Sequence, residues 1–212
     1  MGELLLEAFG QTLVMVVPST IFSVIFGFII AIILVVTDSN GLRPNKAIYK
    51  CIDGIVNVLR GFPFVILMVA IIPFTRAIMG TSIGEKAAIV PLTIAAAPFV
   101  ARIFESALKE VDPGVIEAAR SFGSSNAQII FKVMLKEAIP SILSGITLTV
   151  INLIGYSAMA GALGAGGLGN LGIRYGFQRF KTDIMIVTVI VLIIVVQALQ
   201  GLGNYFYKKL SR

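Results

Sequence analysis

The chain has 212 residues, of which 57% are apolar and 13% are charged, and its net charge is +6. Soluble domains carry about 45–50% apolar and about 25% charged residues, so this composition excludes an ordinary soluble domain. The lack of histidine and the single cysteine, Cys51, exclude histidine acid–base chemistry, a Cys/His metal site and a disulfide within one chain. We interpret the positive charge as basic loops of a membrane protein, and not as a nucleic-acid site.

Long uncharged runs predict five membrane-spanning helices in an all-α polytopic membrane protein with one transmembrane domain over residues 1–212. A bilayer core needs about 20 apolar residues in a helix. Runs bounded by charged residues place the spans at about 13–36, 58–78, 86–104, 141–163 and 184–207. The second and third spans are short, so we expect Arg60, Lys86 and Arg102 to reach the membrane interface with their long side chains.

An odd number of spans puts the two termini on opposite sides of the membrane. With the N-terminus outside, twelve lysines and arginines, including Arg212, lie in inner segments and five lie in outer ones. Basic residues collect in cytoplasmic loops. The distribution predicts a plasma-membrane protein with its N-terminus outside and its C-terminus in the cytoplasm.

Prolines interrupt both short spans, with Pro63 and Pro73 in the second and Pro91 and Pro98 in the third. Each proline removes a backbone donor, and we expect each to bend its helix. Such bends are tolerated where neighbouring helices or a water-filled cavity satisfy the freed groups. Ordinary helix irregularity and a helix pair that lines a pathway both fit this pattern.

The longest polar segment, residues 105–137, is predicted to form two short helices joined by a turn. Asp112 can cap the first helix and Pro113 suits its first position. Gly123 suits the left-handed position after its end, and Ser125 can cap a second helix that runs to about Glu137.

The first of these helices carries apolar residues at helical spacing, and a helix so short needs a surface to pack against. These residues are Val115, Ile116, Ala118, Ala119 and Phe122. That surface is either the chain's own membrane domain or a groove in a partner protein.

The run from Glu117 to Gly123, EAARSFG, resembles the EAA-x3-G motif of permease subunits of bacterial ATP-binding-cassette (ABC) importers. Lys136 stands where the motif usually has a proline. The resemblance implies a type I ABC importer permease fold. It also implies that the helix from Pro113 is a coupling helix, which docks in a cleft of an ATPase subunit. The docking residues would be Glu117, Ala118, Ala119, Phe122 and Gly123.

Further runs resemble the methionine-importer branch of that family: 60–64, 72–76, 155–159, 164–169 and 174–176. This resemblance implies transport of D- or L-methionine by a pair of these chains with two ATPase subunits and a methionine-binding lipoprotein. ATP and magnesium would bind the ATPase. The sequence has no G-x-x-x-x-G-K-[ST] loop of its own, and no Asp, Glu or His in the five predicted spans. A separate motor is therefore expected.

The fourth span carries a stripe with helical spacing: Gly145, Thr149, Asn152, Tyr156 and Met159. Polar groups in a span need another helix or a wet path. The stripe therefore indicates either hydrogen bonding between helices or a translocation path, with Met159 as a flexible gate near its outer end.

The run from Gly164 to Gly169 matches a dinucleotide-binding fingerprint by letters, but no strand precedes it, so we predict a tight outer loop. In the family this loop faces the binding protein. Arg174, Arg179 and Lys181 are then either docking charges or solvated loop residues.

Three classes of function remain: an ABC permease for methionine or another small amino acid, an ion-coupled secondary transporter or channel, and a membrane scaffold. The motif and the uncharged spans favour the first class.

Overall fold

The computed structural model describes residues 2–210, and all regular secondary structure in that range is helical. Arg212, which the topology count placed on the inner side, lies outside the described residues. The helices are α1 (Gly2–Thr37), α2 (Lys46–Gly61), α3 (Phe64–Ala70), α4 (Ile72–Met79), α5 (Glu85–Lys109), α6 (Pro113–Ser121), α7 (Asn126–Ala165), α8 (Gly167–Asn170), α9 (Leu171–Phe177, with π-helical turns) and α10 (Thr182–Leu210).

Within the described range, α1, α5, α7 and α10 are each long and apolar enough to cross a membrane, and α2 with α3 adds a fifth candidate as one bent pair. The short helix α6 lies at one end of the bundle. We call this the α6 end, and we call the opposite end, which carries residues 161–177, the glycine-rich end.

The most extensive helix–helix packing in the described bundle joins α1 to α5. Ser19, Ser23, Gly27 and Ala31 recur every four residues along α1, and all four are buried. A Cβ atom on Gly27 would lie 2.6 Å from the Val100 Cβ on α5. Small residues at this spacing let two helices approach closely, which matters in lipid because helices gain nothing there from burying apolar surface.

The second predicted span, 58–78, does not form one helix. Its residues are divided among α2, α3 and α4, and α3 turns by 105° from α2. The turn lies at Phe62, whose backbone is extended (φ −74°, ψ 129°) because the following residue is Pro63. The chain breaks again at Ile71, and α4 ends at Gly80 in the left-handed conformation (φ 73°).

The prolines of the third span have a different outcome. Both Pro91 and Pro98 lie inside α5, which continues without a break from Glu85 to Lys109. Unlike Pro63, these two prolines therefore do not end their helix. Its close contact with α1 supports the helix through both positions.

The polar segment and the fourth span also differ from the prediction, because the helix that begins after Ser125 does not stop near Glu137. It continues through Pro140 into the predicted span and forms α7. Between Gly123 (φ 78°) and Gly164 (φ 96°), no described residue has a positive φ that could end it. π-Helical turns at Ile129–Met134 and Gly161–Ala165 are its irregular parts.

The glycine-rich end has the backbone conformations expected for that run. Gly164, Gly166 and Gly167 have φ values of 96°, 84° and 82°, which only glycine adopts easily. After this reversal the chain forms α8 and α9 rather than a loop. The N–H of Gly167 donates to Gln11 Oε1 at 2.7 Å, and the N–H of Leu168 donates to Thr12 Oγ1 at 3.0 Å. Side chains of α1 thus cap α8.

We predict that Gly27→Ala lowers the stability of the chain by about 1–3 kcal/mol, because the added methyl group overpacks the contact with Val100. Gly10→Ala on the same helix is the matched control, since no atom lies within 4 Å of its new Cβ. Heat-induced loss of the monodisperse detergent peak measures the difference. Equal midpoints for the two variants would refute the close contact.

Candidate functional site

The ends of α6 have the predicted geometry. The Asp112 carboxylate accepts a hydrogen bond from the Gly114 N–H at 2.7 Å, and Pro113 is the first helical residue. Gly123 takes the left-handed conformation beyond the last turn. Ser125 and Gln128 form a reciprocal capping box, with the Ser125 N–H donating to Gln128 Oε1 at 2.8 Å. The Asp112 cap and the Ser125–Gln128 capping box each join residues only a few positions apart. They determine where α6 and α7 begin.

The apolar residues of α6 face two directions. Ile116 and Ala119 are half-buried against the chain's own bundle, whereas Val115, Ala118 and Phe122 are exposed. Phe122 is 90% exposed. This aromatic side chain at the end of a short helix is available for contact with another protein. The acidic residue Glu117 is exposed on the same helix.

A buried carboxylate lies in the last two turns of α5, eight residues before α6 begins. Glu105 is only 2% exposed. It accepts hydrogen bonds from Arg102 Nη1 at 2.7 Å, Lys109 Nζ at 2.8 Å and the Tyr49 hydroxyl at 3.1 Å. Burying a charge costs several kcal/mol unless it is paired and hydrogen-bonded, and these three donors supply both conditions. We call this group, with its further partners, the Glu105 network.

The network connects α5 to α2 and to the loop after α1. Arg102 Nη2 donates to Asp53 at 2.5 Å and to Asn57 at 2.9 Å, both on α2. Lys109 Nζ donates to Asp38 in the loop at 2.8 Å. This ammonium group, with the Asn40 N–H, lowers the pKa of the Asp38 carboxyl below its usual value. The end of α5, α2 and the loop are thereby held together.

The sequence analysis missed this network. It assigned Arg102 to the interface and Glu105 to the polar segment, although both belong to α5. The spacing of Arg102, Glu105 and Lys109 does put them on one helical face, which is the available signal. Their partners Asp38 and Asp53 are distant in the chain, so the spacing could not identify them.

The predicted stripe of α7 lies at the boundary between a packed and an exposed face. Thr149 is 1% exposed, and its hydroxyl donates to the Gly145 carbonyl at 2.8 Å. Tyr156 is half-buried and stacks on Phe64 with 4.8 Å between ring centroids. Asn152 is exposed, and Met159 is 47% exposed. Thr149 therefore does not lie on the exposed surface, because that side of α7 packs against α5.

The exposed surface of α7 has its own helical spacing. We call it the open face, and it comprises Ser144, Leu148, Asn152, Gly155 and Met159. It extends over residues 144–159, in the second half of the helix. No other helix of the described chain covers it.

Two of the three predicted docking cations, Arg179 and Lys181, lie in the turn between α9 and α10, and Arg174 lies in α9. Arg174, Arg179 and Lys181 are all exposed, and the Arg179 guanidinium lies 4.6 Å from the Tyr175 ring centroid. The sequence analysis missed two apolar neighbours, Phe177 and Phe180, which are 68% and 87% exposed. The turn thus combines basic and aromatic side chains on one surface.

Among the side chains of residues 2–210, no group of three carboxylates or thiolates is placed to hold a metal ion.

A bundle of apolar helices with an exposed, capped helix at one end fits the membrane subunit of a transporter. The model for "Binding-protein-dependent transport system inner membrane component" matches residues 23–212, and the chain belongs to that family.

The chain is similar to several named permeases. It is 49% identical over 210 residues to the probable D-methionine transport system permease protein MetI of Vibrio cholerae, a match that covers 99% of this chain and 93% of that one. It is 45% identical over 172 residues to the methionine import system permease protein MetP of Bacillus subtilis, covering 81% and 78%.

The fold is similar to solved ABC transporter permeases. A structure of the inward-facing MetNI methionine ABC transporter aligns with a TM-score of 0.98 and 43% identity, covering 100% of this chain and 98% of that chain. An amino acid ABC transporter aligns with a TM-score of 0.80 at 23% identity, which supports the fold alone.

We predict that Glu105→Ala destabilises the chain by about 1–3 kcal/mol. This is less than the about 3–5 kcal/mol of a fully buried ion pair, because Arg102 and Lys109 keep partial access to water. Glu137→Ala, at an exposed position within α7, is the control and should change stability by less than about 0.5 kcal/mol. Thermal unfolding in detergent compares them, and similar losses would show that the network contributes little.

Proposed function

We infer that this chain is the permease subunit of an ATP-driven importer of methionine. The single observation that carries the inference is α6, which is capped at both ends, carries the EAA motif and exposes Phe122 away from its own bundle. The similarity to MetI and MetP over most of the chain supports methionine as the substrate. The chain is a transport subunit and not an enzyme, since ATP and magnesium belong to the partner ATPase.

The proposed assembly contains two copies of this chain and two ATPase subunits. Pro113, Glu117, Ala118, Ala119, Phe122 and Gly123 form the coupling site. Each α6 docks in a cleft of one ATPase, with Phe122 as the buried anchor. When ATP closes the ATPase pair, the two α6 helices are drawn together.

Force on α6 reaches the bundle by a short route. Only residues 110–112 separate α6 from α5, and Val111 in this linker is buried. The Glu105 network holds α2 and the loop after α1 to the end of α5. These parts therefore move together, which produces alternating access as a rigid-body change.

The translocation path runs along the open face of α7, where the second copy encloses it. Asn152 and Met159 belong to this face, and Tyr156 lies at its edge. Thr149, which was also predicted to line the path, is buried on the side of α7 that packs against α5 and does not belong to the open face. Met159 serves as the gate because a thioether side chain repacks with little cost.

At the glycine-rich end, Arg174, Arg179 and Lys181 dock a methionine-binding lipoprotein. Their charges steer its approach, and the exposed Phe177 and Phe180 add apolar contact area. Under this proposal the glycine-rich end and the N-terminus face outward, and the α6 end and the C-terminus face the cytoplasm. The basic residues near α6, among them Lys132 and Lys136, fit that orientation.

We predict that Phe122→Ala weakens the complex with the ATPase by about 30-fold or more, the effect of losing an interface hot spot of at least about 2 kcal/mol. Phe180→Ala is the matched control, since Phe180 is 87% exposed at the opposite end. Co-purification of a tagged ATPase from membranes measures both. Undiminished recovery with Phe122→Ala would refute the docking of α6.

We expect Met159→Gly to raise the passive leak of methionine from proteoliposomes that contain the assembled transporter, because the gate loses its side chain. Met159→Leu retains an apolar side chain of similar volume and should leave the leak at the wild-type level. Efflux of labelled methionine without ATP measures the leak. The gate assignment fails if both variants leak as little as the wild type.

A further inference from the structure

A groove of about 380 Å³ opens at the α6 end, between α5, α7 and the ends of α2 and α10. The groove overlaps the end of the open face that is nearer α6, so Ser144 and Leu148 belong to both. Its volume falls within the about 300–1,000 Å³ of sites for small ligands. The proposed mechanism gives this groove no role in binding the substrate.

Two charges of opposite sign line this groove without neutralising each other. Within residues 2–210, no carboxylate lies within 4.0 Å of the Arg60 guanidinium nitrogens, and no cationic nitrogen lies that close to Glu110. Glu110 accepts only the Ser141 hydroxyl, at 3.3 Å. Arg102 also lines the groove, but Asp53 and Glu105 already hold it.

The uncharged residues that line the groove include a hydroxyl-bearing group and an apolar group. Hydroxyl groups of Ser106, Ser141 and Ser144 provide hydrogen-bonding groups beside the two charges. Phe99, Ile103 and Leu148 provide an apolar wall. The groove therefore offers one cation, one anion and an apolar surface, which is the complement of an α-amino acid with an uncharged apolar side chain.

We propose that this groove is a binding site for the zwitterion of an apolar amino acid. Arg60 binds the α-carboxylate through its planar guanidinium, which matches a carboxylate in a bidentate pair. Glu110 binds the α-ammonium group, and the side chain lies against the apolar wall. The proposal rests on the proposed function, under which the groove is the last position of the substrate before the cytoplasm.

The chemistry of the groove also predicts selectivity. A ligand that lacks either charge leaves Arg60 or Glu110 without its partner, so both charges are required. Methionine amide has no carboxylate, and N-acetylmethionine has no ammonium group. Each should compete poorly with methionine for the groove, whereas other apolar amino acids should compete well.

The test uses the assembled transporter in lipid nanodiscs without binding protein, and a diazirine analogue of methionine as the probe. After illumination, mass spectrometry should find the label in peptides that cover residues 99–110 and 141–148. Arg60→Gln and Glu110→Gln should each reduce this labelling about tenfold, the scale of a lost charge-assisted hydrogen bond. Arg43→Gln and Glu137→Gln, which change exposed charges at the same end, should leave it unchanged. Arg60→Lys should restore part of it.

Several results would overturn the proposal. These are labelling that survives both groove variants, competition by N-acetylmethionine equal to that of methionine, and labelling that appears only outside the groove. ATP-driven uptake of methionine by the same transporter in proteoliposomes that also receive the binding protein, measured in parallel, separates the outcomes. If uptake persists and the groove stays unlabelled, only this inference fails, and if uptake is absent the proposed function fails.

Discussion

The arrangement at the α6 end depends on keeping one buried carboxylate charged. Glu105 is almost inaccessible to water, and an ionised carboxylate in that position is stable only while Arg102 and Lys109 stay beside it. Those two cations are in turn held by Asp53 on α2 and Asp38 in the loop after α1. Four carboxylate–cation contacts therefore determine how α2 lies against α5, and they do so close to the start of α6.

This constraint has consequences on both sides of α5. On one side, Arg102 holds α2 through Asp53 and Asn57, and Arg60 in the last turn of α2 lies at the groove. On the other, α1 packs against α5 through small residues, so the long helices form one closely packed pair. A force applied to α6 is transmitted to α5, because the linker of three residues leaves little room for independent motion of the two helices.

The sequence predicted the local features best. The caps of α6 and of α7 depend on residues a few positions apart, and the positive φ values at Gly123, Gly164 and Gly166 follow from glycine itself. The long uncharged runs of α1 and α10 were also predicted from the sequence. Features that depend on contacts between distant residues were not predicted. Charge spacing could not reveal that Arg60 ends one helix before a sharp turn, nor that Glu105 is buried by partners from two other elements. Periodicity put Thr149 and Met159 on one face, but only the packing of α5 decides which of them is exposed.

The central claim is that this permease moves methionine only when a separate ATPase drives it. Proteoliposomes that contain the chain, its ATPase and the binding protein should accumulate labelled methionine when ATP is supplied on the ATPase side, and alanine and histidine should compete weakly. Liposomes with the chain alone should accumulate none under a proton or sodium gradient. Gradient-driven accumulation by the chain alone, or ATP-driven uptake that prefers alanine or histidine to methionine, would contradict the account.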